Sequence, residues 1–207
     1  HLAMLSKDEK RELVLDFNTD RITVPGSQTV FDLLSKRAQQ TPEAIALVFG
    51  TSKMSYASLE QKSNQVARYL KANGVQKGDL VPICMERSLM TMVAIFGIMK
   101  SGAAYVPIDP TNPVDRISFI ISDVAAKLVV THSEVHSKLQ ACSTVPCMVI
   151  NELDEEIQEQ SSAKVEMEVH SDDIAYVIYT SGTTGKPKGA MMRYGSLWSF
   201  LESMDLS

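Results

Sequence analysis

Ten consecutive residues, Thr180-Ser-Gly-Thr-Thr-Gly-Lys-Pro-Lys-Gly189, combine three glycines, four hydroxyl side chains and two lysines. That density of donors on a pliable backbone suits a phosphate chain. Gly182, Gly185 and Gly189 permit positive φ and close backbone approach, so successive N–H groups can converge on one anion. Thr180, Ser181, Thr183 and Thr184 add hydroxyl donors, and Lys186 and Lys188 add charge. Pro187 stiffens the backbone between the lysines, so their side chains are not interchangeable in direction. Lys188 is expected to make the structurally fixed contact. The string is not a Walker A loop, because Gly182 and Gly185 are only three apart and Pro187 follows the lysine. A P-loop hydrolase is therefore disfavoured. A flexible linker would share the glycine and serine content, but linkers seldom follow an apolar strand directly, and here Ile174-Ala-Tyr-Val-Ile-Tyr179 runs straight into the loop.

Other constellations carry less. His132 and His136, with Cys142 and Cys147 close behind, offer the residue types of a zinc site. They lack a C-x-x-C spacing, and His132-Ser-Glu-Val-His136 is not the H-E-x-x-H of a metalloprotease, so surface histidines and core cysteines are the better reading. Met85, Met90, Met92 and Met99 gather around one helical stretch, where methionine fills irregular core space more often than it binds a partner helix. Trp198 and Phe200 are expected to anchor a helix beneath a sheet.

A length of 207 residues fits one ordinary domain or one large domain cut short. With 44% hydrophobic and 22% charged residues the chain can bury a core, and no apolar run approaches the ~20 residues of a membrane-spanning helix. Twenty basic residues against 25 acidic ones leave a formal charge of −5, which disfavours a nucleic-acid footprint. Any anion must be held locally. Three cysteines without a C-x-x-C fit reduced thiols in a cytoplasmic compartment. His1-Leu-Ala-Met4 has neither the basic flank nor the apolar stretch of a signal peptide and reads as a cloning remnant.

The elements that must position the loop follow from periodicity. A capping-box spacing at Ser6 and Glu9, with Leu13, Val14 and Phe17 behind it, predicts a helix over 6–17, followed by a loop over 18–27. Thr29 caps a second helix carrying Phe31, Leu34 and Ala38 on one face, and a strand is expected over 44–49. Residues 50–53 read as a turn, and Leu59, Val66 and Leu70 line an amphipathic helix stopped by Gly74. Apolar runs at 80–85, 105–108, 128–131, 147–150 and 174–179, with helical stretches at 89–100 and 114–122, predict β-α-β units in an α/β fold with a mainly parallel sheet. Residues 152–170 are acid-rich, so they read as a solvated excursion rather than as an acidic docking surface.

Ile174-Ala-Tyr-Val-Ile-Tyr-Thr-Ser-Gly-Thr-Thr-Gly-Lys-Pro-Lys-Gly189 resembles the signature loop of the adenylate-forming enzymes, the superfamily of peptide-synthetase adenylation domains, acyl-CoA ligases and firefly luciferases. Met54-Ser-Tyr-Ala-Ser-Leu59 and Met99-Lys-Ser-Gly-Ala-Ala-Tyr-Val-Pro-Ile-Asp-Pro110 are similar to two earlier motifs of that superfamily, in the same order. Ala104-Tyr-Val-Pro-Ile-Asp109 favours the nonribosomal peptide synthetase branch. So do Thr41-Pro-Glu-Ala44 and the opening Leu5-Ser6 to Phe17-Asn18, which resembles the segment leading in from a condensation domain. Tyr194 departs from the pattern, since many relatives place a histidine there.

The resemblance implies an enzyme that binds ATP and Mg²⁺, activates an amino acid as its adenylate with release of pyrophosphate, and loads it onto a carrier-protein phosphopantetheine thiol. Thr180, Ser181, Gly182, Thr183, Thr184, Gly185, Lys186 and Lys188 would bind the ATP phosphates. Residues 1–27 would form the opening segment, and 28–207 an incomplete large subdomain ending after the phosphate loop. The family's amino-acid pocket, metal-binding acid and C-terminal catalytic lysine all follow that loop, so this chain is expected not to complete adenylation alone. Its partners would be the remaining part of the adenylation domain, carrier-protein and condensation domains, and no nucleic acid or membrane. Two alternatives stand beside this: an acyl-CoA ligase-like enzyme activating a fatty or aryl acid, and a non-catalytic docking module.

Overall fold

A computed structural model describes Ser6 and residues 29–151, 155–181 and 186–205. The helix expected over 6–17 and the loop over 18–27 lie outside the described residues, Ser6 apart. Helix α1 (Val30–Gln40) starts at Thr29, where a reciprocal capping box holds the first turn. The Thr29 hydroxyl accepts from the Asp32 N–H, and the Asp32 carboxylate accepts from the Thr29 N–H. Strands β1 (Ile45–Phe49) and β2 (Ser52–Ser55) form an antiparallel hairpin. The turn is therefore shorter than 50–53: Ser52 and Lys53 already pair with Phe49 and Val48, because Gly50 reverses the chain at φ +58°. Ser55 then caps α2 (Tyr56–Ala72), its hydroxyl accepting from the Ser58 N–H at 3.3 Å.

From there strands and helices alternate: β3 (Leu80–Cys84), α3 (Leu89–Ser101), β4 (Ala104–Ile108), α4 (Val114–Asp123), β5 (Val129–Thr131), α5 (Ser133–Cys142), β6 (Cys147–Val149), α6 (Glu155–Gln158), β7 (Ile174–Thr180), β8 (Lys188–Arg193) and α7 (Tyr194–Asp205). The sheet order is β6-β5-β3-β4-β7-β8. All neighbours pair in parallel except β8, which returns antiparallel along β7. The α/β class and mainly parallel sheet expected from the sequence are thus present, with α5 and β8 as additions that apolar spacing does not announce.

Both faces are covered over the parallel strands β5, β3 and β4, as parallel strands require, whereas the antiparallel edge strand β8 is largely exposed. Val81, Ile83, Val130 and Met148 face α2 and α3, while Cys84, Val106, Ile108, Val129 and Val177 face α4 and α5. Adjacent Ile83 and Cys84 fall in opposite layers because strand side chains alternate. A third cluster of Phe31, Met99 and Ala175 joins α1, α3 and α7 to the sheet, beside the stacked rings of Tyr105 and Tyr176 at 5.3 Å. Met85, Met90 and Met99 are buried in these layers, as expected of core filler. Trp198 is buried as expected, whereas Phe200 is exposed.

The acid-rich stretch adds no strand among its described residues, but it is less solvated than its composition suggests. Ile157 and Val165 are buried, and side chains of α2 hold the segment by its backbone. Gln65 donates to the carbonyls of Gln158 and Gln160, Asn64 to that of Ser162, and Arg68 to those of Ser161, Ala163 and Lys164. Carbonyl acceptors exist at any residue, so this docking leaves no trace in the segment's own sequence.

Four aspartates are held below the usual carboxylate range. Burial opposes the ionisation of Asp32, Asp79 and Asp173 but is outweighed. The counterweights are Thr29 and Lys164 at Asp32, Lys127 and the Gln76 N–H at Asp79, and the His170 N–H and Lys77 at Asp173. At Asp109 the hydroxyl and N–H of Thr111 lower it directly. A depressed carboxylate contributes stability that is full above its unfolded value and lost as pH falls through its folded one. Urea midpoints are therefore expected to hold between pH 7 and 5 and to fall steeply below about pH 4.

Candidate phosphate-binding loop

Strand β7 alternates buried Ala175 and Val177 with more open Tyr176 and Ile178, so one face sits in the core while the strand points its carboxyl end outward. The chain returns in β8 with Thr180 opposite Lys188 and Tyr179 opposite Gly189. The glycine and hydroxyl loop is therefore the connection of a β-hairpin, closed at its base by the Thr180–Lys188 pair. Gly182, Thr183, Thr184 and Gly185 lie outside the described residues. The flanking Thr180, Ser181, Lys186 and Lys188 are exposed.

The placement suits a ligand. Strands β3, β4 and β7 run parallel, so the loop leaves the sheet at the carboxyl edge, where open α/β sheets bind their ligands. The turn after β4 lies at the same edge. Asp109 there accepts from the Thr111 N–H and hydroxyl at 2.8 and 2.6 Å, and Lys138 of α5 donates to the carbonyls of Pro110 and Asn112. Those groups are already committed to holding the turn. Neither Lys186 nor Lys188 has an ion pair among the described residues, so both ammonium groups can meet an external anion. The structure fixes the Lys188 backbone in β8, where it pairs with Thr180.

Of the other sequence candidates, His132 follows β5 at this same edge, with two strands between it and β7, and the cysteines lie in or against the core. His132 occupies the N-cap position of α5 without a side-chain capping bond, Cys84 is buried, and Cys142 and Cys147 are half-buried free thiols. Burial pushes the Cys84 thiol up to about 12, so it is inert at neutral pH. Among the described residues no group of three or more His, Cys, Asp or Glu could hold a metal ion, and no helix is long and apolar enough to cross a membrane. Tyr194 starts α7 directly after β8, packed edge-on against Phe31 at 6.0 Å. Its hydroxyl and the Trp198 indole N–H one turn later are buried without partners among the described residues.

Two residues that the motif reading overlooked stand beside the loop. Tyr179 donates its hydroxyl to Asp123 Oδ2 of α4 at 2.5 Å. A signal existed in the sequence: Asp123 ends a helix, where the macrodipole disfavours a carboxylate and an acid needs a reason to be there.

Comparison with known proteins agrees with the fold. The family model of the AMP-binding enzymes matches residues 34–207. Gramicidin S synthase 2 of Brevibacillus brevis is 41% identical over 201 residues, 97% of this chain and 4% of that protein. Among solved structures, the nonribosomal peptide synthetase FmoA3 in its AMPPNP-bound form superposes with a TM-score of 0.80 at 27% identity, covering 90% of this chain and 19% of that one. Its α-methyl-L-serine-AMP-bound form gives 0.77 at 28% identity, covering 86% and 19%. The chain thus spans a small part of the length of the relatives that it matches.

Proposed function

The chain belongs to the AMP-binding enzyme family, and from that premise we propose that it is the ATP-binding N-terminal part of a peptide-synthetase adenylation domain. Residues 28–207 are then the first part of the large subdomain, and 1–27 lead in from a condensation domain. In the reaction an amino-acid carboxylate oxygen attacks the α-phosphorus of ATP, and the bond from that phosphorus to the oxygen bridging to the β-phosphate breaks. Pyrophosphate leaves with the electron pair, and the aminoacyl-adenylate remains. The acyl group then passes to a carrier-protein phosphopantetheine thiol.

The observation that carries this reading is the hairpin loop at the carboxyl edge, with two lysines that have no ion pair among the described residues and an adjoining run of hydroxyls. Thr180, Ser181, Gly182, Thr183, Thr184, Gly185, Lys186 and Lys188 bind the phosphates. Negative charge grows on the departing pyrophosphate, and donors fixed in advance stabilise it without covalent participation. Mg²⁺, when bound with the triphosphate, neutralises part of that charge, and none of these residues is assigned to hold it. The names of the relatives and the adenylate bound in FmoA3 support the amino-acid branch.

Exchange of labelled pyrophosphate into ATP tests the proposal. Set in its complete adenylation domain, the chain is expected to support exchange with one or a few amino acids, and the 207 residues alone to support none. Exchange driven by a fatty or aryl acid and by no amino acid would transfer the reading to an acyl-CoA ligase-like enzyme. Exchange by the 207 residues alone would overturn the assignment as an incomplete domain.

A further inference from the structure

We propose that the Tyr179–Asp123 hydrogen bond sets the position of both ends of the phosphate loop, Tyr179 and Asp123 being positioning residues and not phosphate ligands. This rests on the reading of residues 180–188 as that loop. Three observations converge on it. Tyr179 immediately precedes Thr180, and its cross-strand partner Gly189 immediately follows Lys188, so the pair lies one step below the base of the hairpin. The ring lies across the space above Gly189: a Cβ there would come within 3.2 Å of Tyr179 Cε2 and Cζ and 2.9 Å of Val177 Cγ1. Any larger residue would push the ring away from β8. The hydroxyl then reaches out of the hairpin to Asp123 Oδ2 at 2.5 Å, a charge-assisted bond in the short range for O–H···O⁻ pairs.

One side chain therefore ties β7, β8 and the end of α4 together directly beneath the loop. The arrangement also accounts for a carboxylate at a helix C-terminus, where the dipole alone would penalise it. Asp123 is exposed, so the bond adds little to global stability. Its effect is on geometry: it limits the orientations in which Thr180 and Lys188 present themselves, which lowers the ordering cost of binding an anion.

The test is calorimetric titration of the 207-residue protein with Mg-ATP, with adenosine as the phosphate-free probe, alongside urea unfolding. Tyr179→Phe and Asp123→Ala are each expected to weaken Mg-ATP binding by about three- to ten-fold, the scale of one hydrogen bond. The double variant should be no weaker than either single one, because both remove the same bond. Asp123→Asn, which keeps an acceptor, should recover part of the affinity. Adenosine binding and the urea midpoint should move little. Unchanged Mg-ATP affinity in Tyr179→Phe, with the parent protein binding normally, would overturn the positioning role alone. So would fully additive losses, or losses matched by a large fall in the urea midpoint. Absence of Mg-ATP binding in the folded parent protein would instead remove the phosphate-loop reading, and this proposal with it.

Discussion

Replacing Lys100 by methionine is expected to lower the unfolding free energy by about 3–5 kcal/mol, the cost of removing one partner from a buried ion pair. Lys100 stands in the last turn of α3 with its side chain only 4% exposed, and its ammonium meets three side-chain acceptors on α2: Glu60 Oε2 at 2.7 Å, Ser63 Oγ at 2.9 Å and Asn64 Oδ1 at 2.8 Å. Three donors meet three acceptors, so the group is satisfied. Burial pushes the lysine below its ordinary value, against the opposing pull of Glu60. Glu60 in turn accepts from the Ser35 hydroxyl of α1 at 2.8 Å, so the cluster pins three helices. Without Lys100, a half-buried carboxylate and the Asn64 carbonyl lose their main donor. Lys100→Met combined with Glu60→Met should regain much of the lost stability, because apolar replacement of a whole buried pair is often near neutral. Urea midpoints at a common slope measure each step. A single-variant loss below about 1 kcal/mol, the range of surface pairs, would contradict the burial argument.

Gly97→Val is expected to cost about 3 kcal/mol, at the upper end of ordinary overpacking. A Cβ on Gly97 of α3 would lie 2.3 Å from Val66 Cγ1 and 2.6 Å from Val66 Cβ on α2, closer than real atoms approach. Val66 is fully buried and β-branched, so it has no free rotamer into which to swing. The helices must part. They would do so one turn from Lys100, stretching its bonds to Ser63 and Asn64, so Gly97→Val and Lys100→Met should not be additive. Val66→Gly in the Gly97→Ala background removes both contacting carbons and should return the midpoint toward that of Val66→Gly alone. A Gly97→Ala variant as stable as the parent would show that the helices yield without cost.

These two sites mark what the sequence makes legible and what it hides. Lys100 stands inside the quoted motif Met99 to Pro110, yet a lysine at a helix end reads as solvent-facing. Its burial follows from Glu60, Ser63 and Asn64, forty or fewer residues upstream on another helix. Periodicity found α1 to α4 and the parallel strands because apolar faces repeat at 3.6 and 2 residues. It gave no sign of β8, whose pairing with β7 depends on the loop between them, nor of residues 158–164, which are held by backbone carbonyls. At the site, residue types alone marked the glycines, hydroxyls and lysines. Tyr179 stands within the same string, but its part follows from Asp123, a residue far away in the chain, and from the space above Gly189 that its ring takes up.

Calorimetric titration of this polypeptide with Mg-ATP, with Lys188→Ala as control, tests the central claim most directly. The phosphate-loop account predicts saturable binding that the substitution weakens about ten-fold or more, since it removes a charged hydrogen-bond donor aimed at the phosphates. A folded protein that binds no Mg-ATP, or one whose affinity is the same with alanine at position 188, would contradict it.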